Sequence, residues 1–413
     1  MKYLSSVFLL LALQYVSGQN KTDDFLKNLI WDHASPQLKT ILQNPDSFRY
    51  QIIYTRIDRD ENNRPQFSNY YDHVDRNLYF NPASTVKMPL AFLALEKINE
   101  LKKYGVSKSS AMLMDSSYVA QTSVLNDTTA ADKLPSVAQY IRKIFLVSDN
   151  DAYNRLYEFI GPKNINERLW QMGYKDIRIT RRFVPMNEDQ NRHTNSIRFM
   201  ENGKLLYSQP PAYNGLNFDF SKEILIGKAH YDSKDSLILS PMDFTRHNNL
   251  PLEDLQQILQ SVLFPASVPE KQQFRLNADD YAFLYQYMSE YPSESSFPHY
   301  DDSVYFNSYT KFFMFKSGRK SIPPYIRIFN KPGWSYGFLT DAAYIVDFKN
   351  KIEFMLSAVI YVNSDGILND DKYEYEETGY PFFKEIGEII YQYELERKRK
   401  YHPDLARFQM KYN

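Results

Sequence analysis

The 413-residue chain contains no cysteine, which excludes disulfide bonds, thiol catalysis, cysteine-ligated metals and a lipidated cysteine. Glycine is also scarce, at 13 residues, and neither G-x-x-x-x-G-K-[ST] nor G-x-G-x-x-G occurs. The seven histidines are scattered, with no H-x-x-x-H or H-x-H spacing. The sequence therefore predicts no phosphate-cradling loop, no metal site and no cofactor.

The chain also lacks a strong charge of either sign. Its 49 basic and 50 acidic residues give a net charge of −1, and no long basic run occurs. A basic patch is the electrostatic footprint of nucleic-acid binding, so we expect no nucleic-acid partner. We expect a small-molecule or peptide substrate instead, and the oligomeric state stays open.

No apolar run reaches the length needed to cross a bilayer, so we expect no integral membrane segment. Residues 1–18 resemble a secretory signal peptide, with Lys2 before a short apolar stretch and small residues up to Gly18. We predict cleavage near Gln19 and a mature chain, 19–413, that is periplasmic or secreted. The absence of cysteine fits a periplasm better than a eukaryotic extracellular space.

Hydrophobic periodicity predicts an α+β fold. Helical spacing marks residues 22–44, 135–160, 165–172 and 381–398. Strand patterns mark residues 51–57, 67–74, 325–329, 342–347 and 352–361. Consecutive strands with short turns favour an antiparallel sheet, and the separation of helices from strands favours α+β over a doubly wound fold. Residues 200–324 are rich in tyrosine, phenylalanine and proline, and we interpret them mainly as an insertion.

The stretch from Ser84 to Lys87 is the most informative pattern, because it begins a strongly apolar helical segment. Side chains three positions apart share a helix face, with Cβ atoms roughly 5–6 Å apart. A serine hydroxyl becomes a nucleophile when a base takes its proton, and a desolvated lysine can be that base. The unpaired N–H groups of the first helical turn favour negative charge that develops at the serine.

Two further patterns complete this S-x-x-K. Ser148-Asp149-Asn150 follows an apolar run, and Lys331-Pro332-Gly333 follows a predicted strand. With these motifs the chain resembles the penicillin-recognising serine hydrolases, above all the class A β-lactamases, which carry S-x-x-K, S-D-N and K-T-G in this order. The resemblance covers roughly residues 22–195 and 325–398. It implies a β-lactamase/transpeptidase-like fold, an antiparallel sheet flanked by helices plus a helical subdomain.

The resemblance also implies roles for the residues of the first two motifs. Ser84 is expected to be the acylated nucleophile, and Lys87 a base that is hydrogen-bonded to it. Ser148 is expected to pass a proton to the leaving nitrogen, and Asn150 to bind the side-chain amide of the substrate.

For the third motif the resemblance implies that Lys331 binds the substrate carboxylate and favours a neutral Lys87. The N–H groups of Ser84 and Trp334 are expected to form the oxyanion hole, with Gly333 beside them. Lys331 matches the family geometry because it stands 11 positions before Ala342, the first residue of the next predicted strand.

Lys316-Ser317-Gly318 spells K-[ST]-G more closely than Lys331-Pro332-Gly333 does, but it stands 26 positions before Ala342 and is followed by loop-forming residues. We therefore prefer Lys331. Pro332 then removes a hydroxyl that the family uses to bind the substrate carboxylate, together with one backbone N–H.

A second departure lies in the omega loop of the family. An ungapped count from Ser148 places Arg182-Phe183-Val184-Pro185 on the family's R-W-E-P, so that Val184 replaces the deacylating glutamate. A valine cannot activate water. The same count places Glu188 on a water-holding asparagine of the family, and we predict Glu188 as a substitute base.

The sequence thus predicts a serine hydrolase that forms an acyl-serine on β-lactams or related amides and esters. One alternative is a penicillin-binding-protein-like peptidase or esterase with slow β-lactam deacylation. Another is a non-catalytic binding protein on the same scaffold.

Overall fold

A computed structural model describes residues 20–412 of the protein. The predicted signal peptide, residues 1–18, lies outside the described residues. Within the described part, no helix is both long and apolar enough to cross a membrane.

Eleven α-helices, numbered α1 to α11 in chain order, occur between residues 20 and 412. They are Asp24–His33, Pro36–Leu42, Pro45–Phe48, Lys87–Leu101, Val137–Val147, Asn150–Ile160, Pro162–Met172, Glu188–Arg192, Leu252–Leu263, Ala278–Ser289 and Tyr380–Glu396. Fourteen strands, β1 to β14, occur in the same part of the chain. They are Gln51–Arg59, Pro65–Asp72, Ala111–Asp115, Ser196–Glu201, Lys204–Gln209, Leu225–Ile226, Ala229–Tyr231, Leu237–Ile238, Met242–Asp243, Ile326–Asn330, Gly333–Ser335, Phe338–Asp347, Ile352–Tyr361 and Ile367–Leu368.

The main sheet has six strands and is antiparallel throughout, in the order β10-β12-β13-β1-β2, with β11 also paired to β12. Its centre is the hairpin of β12 and β13, in which every residue of both strands is buried. Strands covered on both faces are mostly apolar, which is why the sequence predicts β13 in full and β12 from Ala342 onward, whereas β12 begins at Phe338.

Helices cover both faces of the sheet. On one face, α1 and α11 pack around a core that includes Ile328, Leu356 and Phe383. On the other face, α4, α5, α6, α9 and α10 share a larger core with Phe329 and Met355. The protein therefore has the α+β architecture that the sequence predicts, an antiparallel sheet with helices on both faces.

The segment that carries Ser84 begins as a 3₁₀ turn, Ala83–Val86, which passes directly into α4. Twelve of the fifteen residues of α4 are buried, so this helix is apolar on almost every side. The 3₁₀ turn that precedes it lies against β11 and β12. This central burial holds the Ser84 turn at the edge of the sheet.

The predicted helical region 135–160 is in fact two helices that meet at Ser148. Ser148 takes a left-handed conformation with φ 63° and ends α5, while the Asp149 side chain accepts a hydrogen bond from the N–H of Ala152 and caps α6. The S-D-N motif therefore lies on the sharp turn between two buried helices, where its side chains can project from the helical subdomain.

Part of the stretch 200–324 belongs to the core. Ten of the twelve residues of α9 are buried, and α9 packs on β12 and β13. Helix α10 packs on β10 and α5. These two helices pack on the sheet and on α5, so they are part of the core, and the interpretation of residues 200–324 as an insertion stays a prediction.

Candidate active site

Ser84 is half-buried and lies against the edge strand that contains Gly333. A Cβ atom at Gly333 would stand 2.7 Å from the Ser84 nitrogen and 2.8 Å from the Pro82 oxygen. Both distances are shorter than real Cβ contacts, so only glycine allows this approach. The close packing brings the backbone of the third motif directly onto the serine of the first.

The Lys87 ammonium group is fully buried and points at the S-D-N turn. It donates hydrogen bonds to the Ser148 carbonyl oxygen, to Ser148 Oγ at 3.3 Å and to Asn150 Oδ1 at 2.6 Å. Among residues 20–412 its hydrogen-bond partners do not include Ser84, so the predicted Lys87–Ser84 hydrogen bond is absent in this state.

Burial lowers the pKa of Lys87 to about 7, against the opposing attraction of the Asp149 carboxylate. An amine with this pKa is neutral in a large fraction of molecules at neutral pH. Neutral Lys87, three residues after Ser84, has the properties that a general base for the serine requires.

Lys331 reaches the same turn from the sheet. Its fully buried Nζ donates to Ser148 Oγ at 2.8 Å and to the Pro332 carbonyl oxygen at 2.8 Å. Burial and then the charge of Lys87 hold the pKa of Lys331 well below its usual range. Ser148 Oγ accepts from both lysines, which leaves its own proton available for a third partner.

The backbone N–H and C=O groups of Trp334 face away from β12. The Lys331 N–H donates to the Ala342 oxygen, and the register of β10 and β11 against β12 is continuous. Because ladder bonds alternate in an antiparallel pair, Lys331 and Gly333 are bonded to β12, whereas Pro332 and Trp334 face outward. The Trp334 N–H is therefore free of the ladder at the Ser84 turn, as an oxyanion donor must be.

The same alternation explains how the strand tolerates Pro332. A proline in a sheet removes a ladder hydrogen bond unless it lies at an outward position of an edge strand. Pro332 occupies such a position, so the geometry of Lys331 and Gly333 is preserved. What the site loses is the hydroxyl group that a threonine would offer there.

Residues 333–337 also spell G-x-S-x-G, the pattern of the α/β-hydrolase nucleophile elbow. That elbow is a turn from a strand into a helix. Here Ser335 ends β11, and Tyr336 and Gly337, with φ 53° and 80°, form the hairpin turn to β12. Ser335 therefore does not lie on a nucleophile elbow.

Asn150 is the first residue of α6, and its side chain is exposed to the cleft side of the S-D-N turn. Its Oδ1 accepts from Lys87 at 2.6 Å. This bond orients the amide so that its nitrogen is left to donate to a ligand carbonyl.

The omega-loop count from sequence needs a correction. The side chain that meets Lys87 is Phe183, whose ring centroid is 4.8 Å from Nζ, whereas Val184 is 38% exposed. The Phe183 N–H donates to Asn154 Oδ1 at 2.8 Å, and its ring packs on Tyr153 at 4.7 Å. These contacts turn Phe183 inward. The residue beside the lysine is still apolar, so the conclusion that this position cannot activate water holds.

Glu188, predicted as a substitute base, is bound elsewhere. Its carboxylate accepts from Arg192 Nη2 at 2.9 Å and from Arg246 Nη1 at 2.6 Å. The hydrogen bond from Arg192 is the main cause that holds the pKa of Glu188 below its usual range. A low pKa makes a carboxylate a poor proton acceptor, and its contacts do not include Ser84 or Lys87 within residues 20–412. Its catalytic role stays a prediction that these contacts do not favour.

Lys316, the lysine of the rival K-[ST]-G sequence, is surrounded by aromatic side chains. Its Nζ is 4.3 Å from the ring centroid of Tyr309 and 4.6 Å from that of Phe306, and it donates to the Tyr309 carbonyl oxygen. Lys331, not Lys316, contacts the S-D-N turn. The choice made on spacing agrees with this geometry.

A buried polar network behind Lys331 has no signature in the sequence. Asn330 Nδ2 donates to both carboxylate oxygens of Asp341 at 2.9 Å, and Lys311 Nζ donates to Asn330 Oδ1 at 2.8 Å. Burial raises the pKa of Asp341 to about 7 and lowers that of Lys311 to about 7. The network anchors the strand that presents Lys331.

Seven of the eight site residues predicted from the sequence lie together at one place. They are Ser84, Lys87, Ser148, Asn150, Lys331, Gly333 and Trp334. Within residues 20–412, no group of three or more histidine, aspartate or glutamate side chains is arranged to hold a metal ion. The available chemistry is thus that of a serine beside two buried lysines, a hydroxyl relay and unpaired backbone N–H groups.

Residues 35–208, which include the first two motifs, match the model of the β-lactamase enzyme family. Over these residues the chain is similar to that family. A search of curated proteins found no significant match to this chain.

Solved structures with a similar course of the chain include a β-lactamase from Xanthomonas campestris pv. campestris, at 14% identity and TM-score 0.49, covering 90% of this chain and 98% of that one. Another is a β-lactamase from Burkholderia vietnamiensis, at 13% identity and TM-score 0.48. The match covers 89% of this chain and 99% of that one. A third is a variant of PBP-A in an acyl-enzyme complex with penicillin G, at 11% identity and TM-score 0.48. The match covers 89% of this chain and 96% of that one.

Proposed function

We propose that this β-lactamase-related chain is an acyl-transferring serine hydrolase that is acylated on Ser84 by β-lactams or related amides and esters, and that releases the acyl group slowly. The observation that carries the proposal is the position of Phe183. An aromatic ring stands next to the buried Lys87, where a deacylating enzyme needs a group that activates water.

Acylation uses groups that lie close together, and it requires Lys87 to turn from its partners Ser148 and Asn150 toward Ser84 Oγ. Neutral Lys87 takes the proton of Ser84, and Ser84 Oγ attacks the substrate carbonyl carbon. The Ser84 and Trp334 N–H groups donate to the oxyanion that forms. When the carbon–nitrogen bond breaks, the Ser148 hydroxyl donates its proton to the leaving nitrogen, and Lys87 returns a proton to Ser148 through the hydrogen bond between them.

Lys331 supports this step in two ways. Its hydrogen bond to Ser148 Oγ fixes the proton donor. Its ammonium group also attracts the carboxylate that β-lactams and peptide C-termini carry. Pro332 offers no hydroxyl to share that carboxylate, so we expect weak ground-state binding of such substrates.

Deacylation has no comparable general base among the residues of the site. Water must attack the ester with general-base help, and such help is worth about 10²–10⁴-fold in rate. Lys87 is screened on one side by Phe183, and the Glu188 carboxylate is paired with two arginines. This imbalance favours the penicillin-binding-protein-like peptidase or esterase over a rapid β-lactamase.

The test is the intact mass of the mature protein after mixing with benzylpenicillin, followed from seconds to hours. We expect an adduct of one penicillin that persists for minutes or longer and is absent from Ser84→Ala. Rapid disappearance of the adduct with product release would instead show a working β-lactamase. No adduct at all would remove β-lactams as acylating substrates.

We also propose that the protein acts outside the cytoplasm, on the strength of the signal-like residues 1–18. Expression of the full chain in a Gram-negative host should yield a periplasmic protein whose N-terminus lies near Gln19. A cytoplasmic protein that retains Lys2 would contradict this proposal.

A further inference from the structure

The Lys316 ammonium group is buried without a carboxylate partner. The residue is 7% exposed, and among residues 20–412 it forms no ion pair. Burial lowers its pKa to about 8, partly offset by the charge of Glu376, so most molecules carry the cation at pH 7. A buried charge is costly when no group replaces the water that it loses, so the surroundings of this lysine need a physical explanation.

Four aromatic rings take the place of the missing carboxylate. They belong to Tyr309, Phe306, Tyr380 and Trp334, whose centroids lie 4.3, 4.6, 5.1 and 5.9 Å from Lys316 Nζ. The faces of aromatic rings within about 6 Å of a cation are attracted to it. The lysine therefore draws these rings toward a single point.

Tyr309 is the link between this lysine and the active site. Its carbonyl oxygen accepts a hydrogen bond from Lys316 Nζ at 3.0 Å, so the lysine holds both its backbone and its ring. The Tyr309 ring packs edge-on against the indole of Trp334, with centroids 5.8 Å apart. Phe312 contacts the same indole, also at 5.8 Å. Residues 309–316 thus hold the side chain of a residue that the oxyanion hole uses.

Trp334 depends on such support because of its place in the sheet. Strand β11 has three residues, and among the strands of residues 20–412 only β12 pairs with it. The Trp334 N–H faces away from β12, whereas its indole packs on the core that α11 covers. The orientation of the outer peptide group therefore follows the anchoring of the indole. A small tilt would misplace the N–H, since an oxyanion donor must lie about 2.7–3.1 Å from the developing charge.

We propose that Lys316 is a positioning residue for acyl transfer. By holding Tyr309, it fixes the Trp334 indole and so aligns the Trp334 N–H with the oxyanion that forms at the substrate carbonyl. The inference rests on the proposed acylation of Ser84, and it adds a residue that lies outside the three motifs of the active site.

Lys316→Met tests this role, because methionine fills a similar volume without the cation and the hydrogen-bond donor. The first turnover of nitrocefin at pH 7, measured by stopped flow over a range of concentrations, gives the maximal acylation rate and the half-saturating concentration. We expect the maximal rate to fall about tenfold, less than the 10²–10³-fold that loss of a whole oxyanion donor costs. The half-saturating concentration should stay within about twofold, because the interaction is made in the transition state.

Thermal stability separates positioning from a structural role. The melting temperature of Lys316→Met should equal or exceed that of the wild-type protein, because the variant removes an unpaired buried charge. Lys316→Arg keeps a cation and a donor and should restore most of the rate. Lys320→Met is the matched control: it removes a neighbouring cation from an exposed ion pair with Glu388 and should acylate normally.

Tyr309→Leu tests the link between the lysine and the indole. It should slow acylation about as much as Lys316→Met, and the double variant should be little slower than Tyr309→Leu alone, because both changes break one chain of contacts. Three results would overturn the proposal: a normal rate in Lys316→Met, a loss of rate that Lys320→Met shares, or fully additive losses in the double variant.

A fluorine NMR spectrum of the protein with fluorotryptophan at its three tryptophans gives a readout that is independent of activity. Lys316→Met should move or broaden the Trp334 signal, assigned with Trp334→Phe, and Lys320→Met should not. If nitrocefin fails to acylate wild-type Ser84 but the Trp334 signal responds in this way, the support of Trp334 by Lys316 stands and the proposed reaction falls. If acylation is equally fast in both variants and the signal does not move, the reaction stands and the role of Lys316 falls.

Discussion

The ring of Phe183 lies 4.8 Å from the ammonium nitrogen of Lys87. A cation above an aromatic face is stabilised by about 0.5–2 kcal/mol, but a ring offers no proton acceptor to water. The side chain beside Lys87 therefore shields the lysine and supplies no base for hydrolysis of an acyl-serine. This relationship leads to the first prediction.

Replacing Phe183 by glutamate places a carboxylate beside Lys87. We expect release of the acyl group to accelerate by about tenfold or more, because general-base assistance to water becomes available. The rate at which the benzylpenicillin adduct disappears from intact-mass spectra measures the effect. Val184→Glu is the matched control: Val184 is 38% exposed, so its carboxylate should leave the rate unchanged. Equal acceleration by both variants would refute the assignment of Phe183.

The acylation rate should follow the ionisation of Lys87. Burial lowers the pKa of this amine to about 7, and only the neutral form accepts the Ser84 proton. Acylation by benzylpenicillin should therefore rise with pH through about 7 and level off above it. Stopped-flow measurements between pH 5 and 9 test this, with Lys87→Met, which lacks the amine, expected to be at least about a hundredfold slower. A rate that falls across this range would exclude Lys87 as the base.

Gly333→Ala tests the close approach of the sheet edge to the nucleophile. A Cβ atom there would lie 2.7 Å from the Ser84 nitrogen, so one backbone segment must move. We expect acylation to fall by at least about tenfold, because oxyanion-hole donors lose their alignment. Gly215→Ala, where a Cβ meets nothing within 4 Å, is the control and should acylate normally. Normal acylation in Gly333→Ala would show that Trp334 and Ser84 do not act together.

Pro332→Thr supplies the hydroxyl that this strand lacks. Pro332 faces outward from the edge strand, so the substitution leaves the hydrogen bonds to β12 intact. We expect KM for carboxylate-bearing β-lactams to fall by about threefold to tenfold, the value of one typical added hydrogen bond. Pro332→Val has a similar shape without the hydroxyl and should not improve KM. An equal gain in both variants would assign the effect to backbone freedom instead.

The sheet and the positions of the three motifs could be predicted because they depend on local pattern. Strand β13, Ile352–Tyr361, is bounded as predicted, since a largely apolar, β-branched run between turns has few alternatives to a buried strand. Lys331 could be chosen over Lys316 by spacing alone, because the distance to the next strand is set by the hairpin.

Other features depend on contacts that no local pattern encodes. Which loop residue turns toward Lys87 is decided by the hydrogen bond from Phe183 to Asn154, 29 positions away. Helices α9 and α10 looked weakly periodic because their neighbours include prolines and tyrosines, and tertiary packing placed them in the core. The rings around Lys316 come from residues 306–309, 334 and 380, so their arrangement has no signature in the sequence.

The most direct test of slow deacylation is the time course of nitrocefin hydrolysis at enzyme concentrations high enough to see the first turnover. We predict a burst of about one equivalent per chain, absent from Ser84→Ala, followed by a much slower phase, because accumulation of an acyl-enzyme gives burst kinetics. A linear time course of many rapid turnovers without a burst would contradict the account, as would the absence of any reaction with wild-type protein.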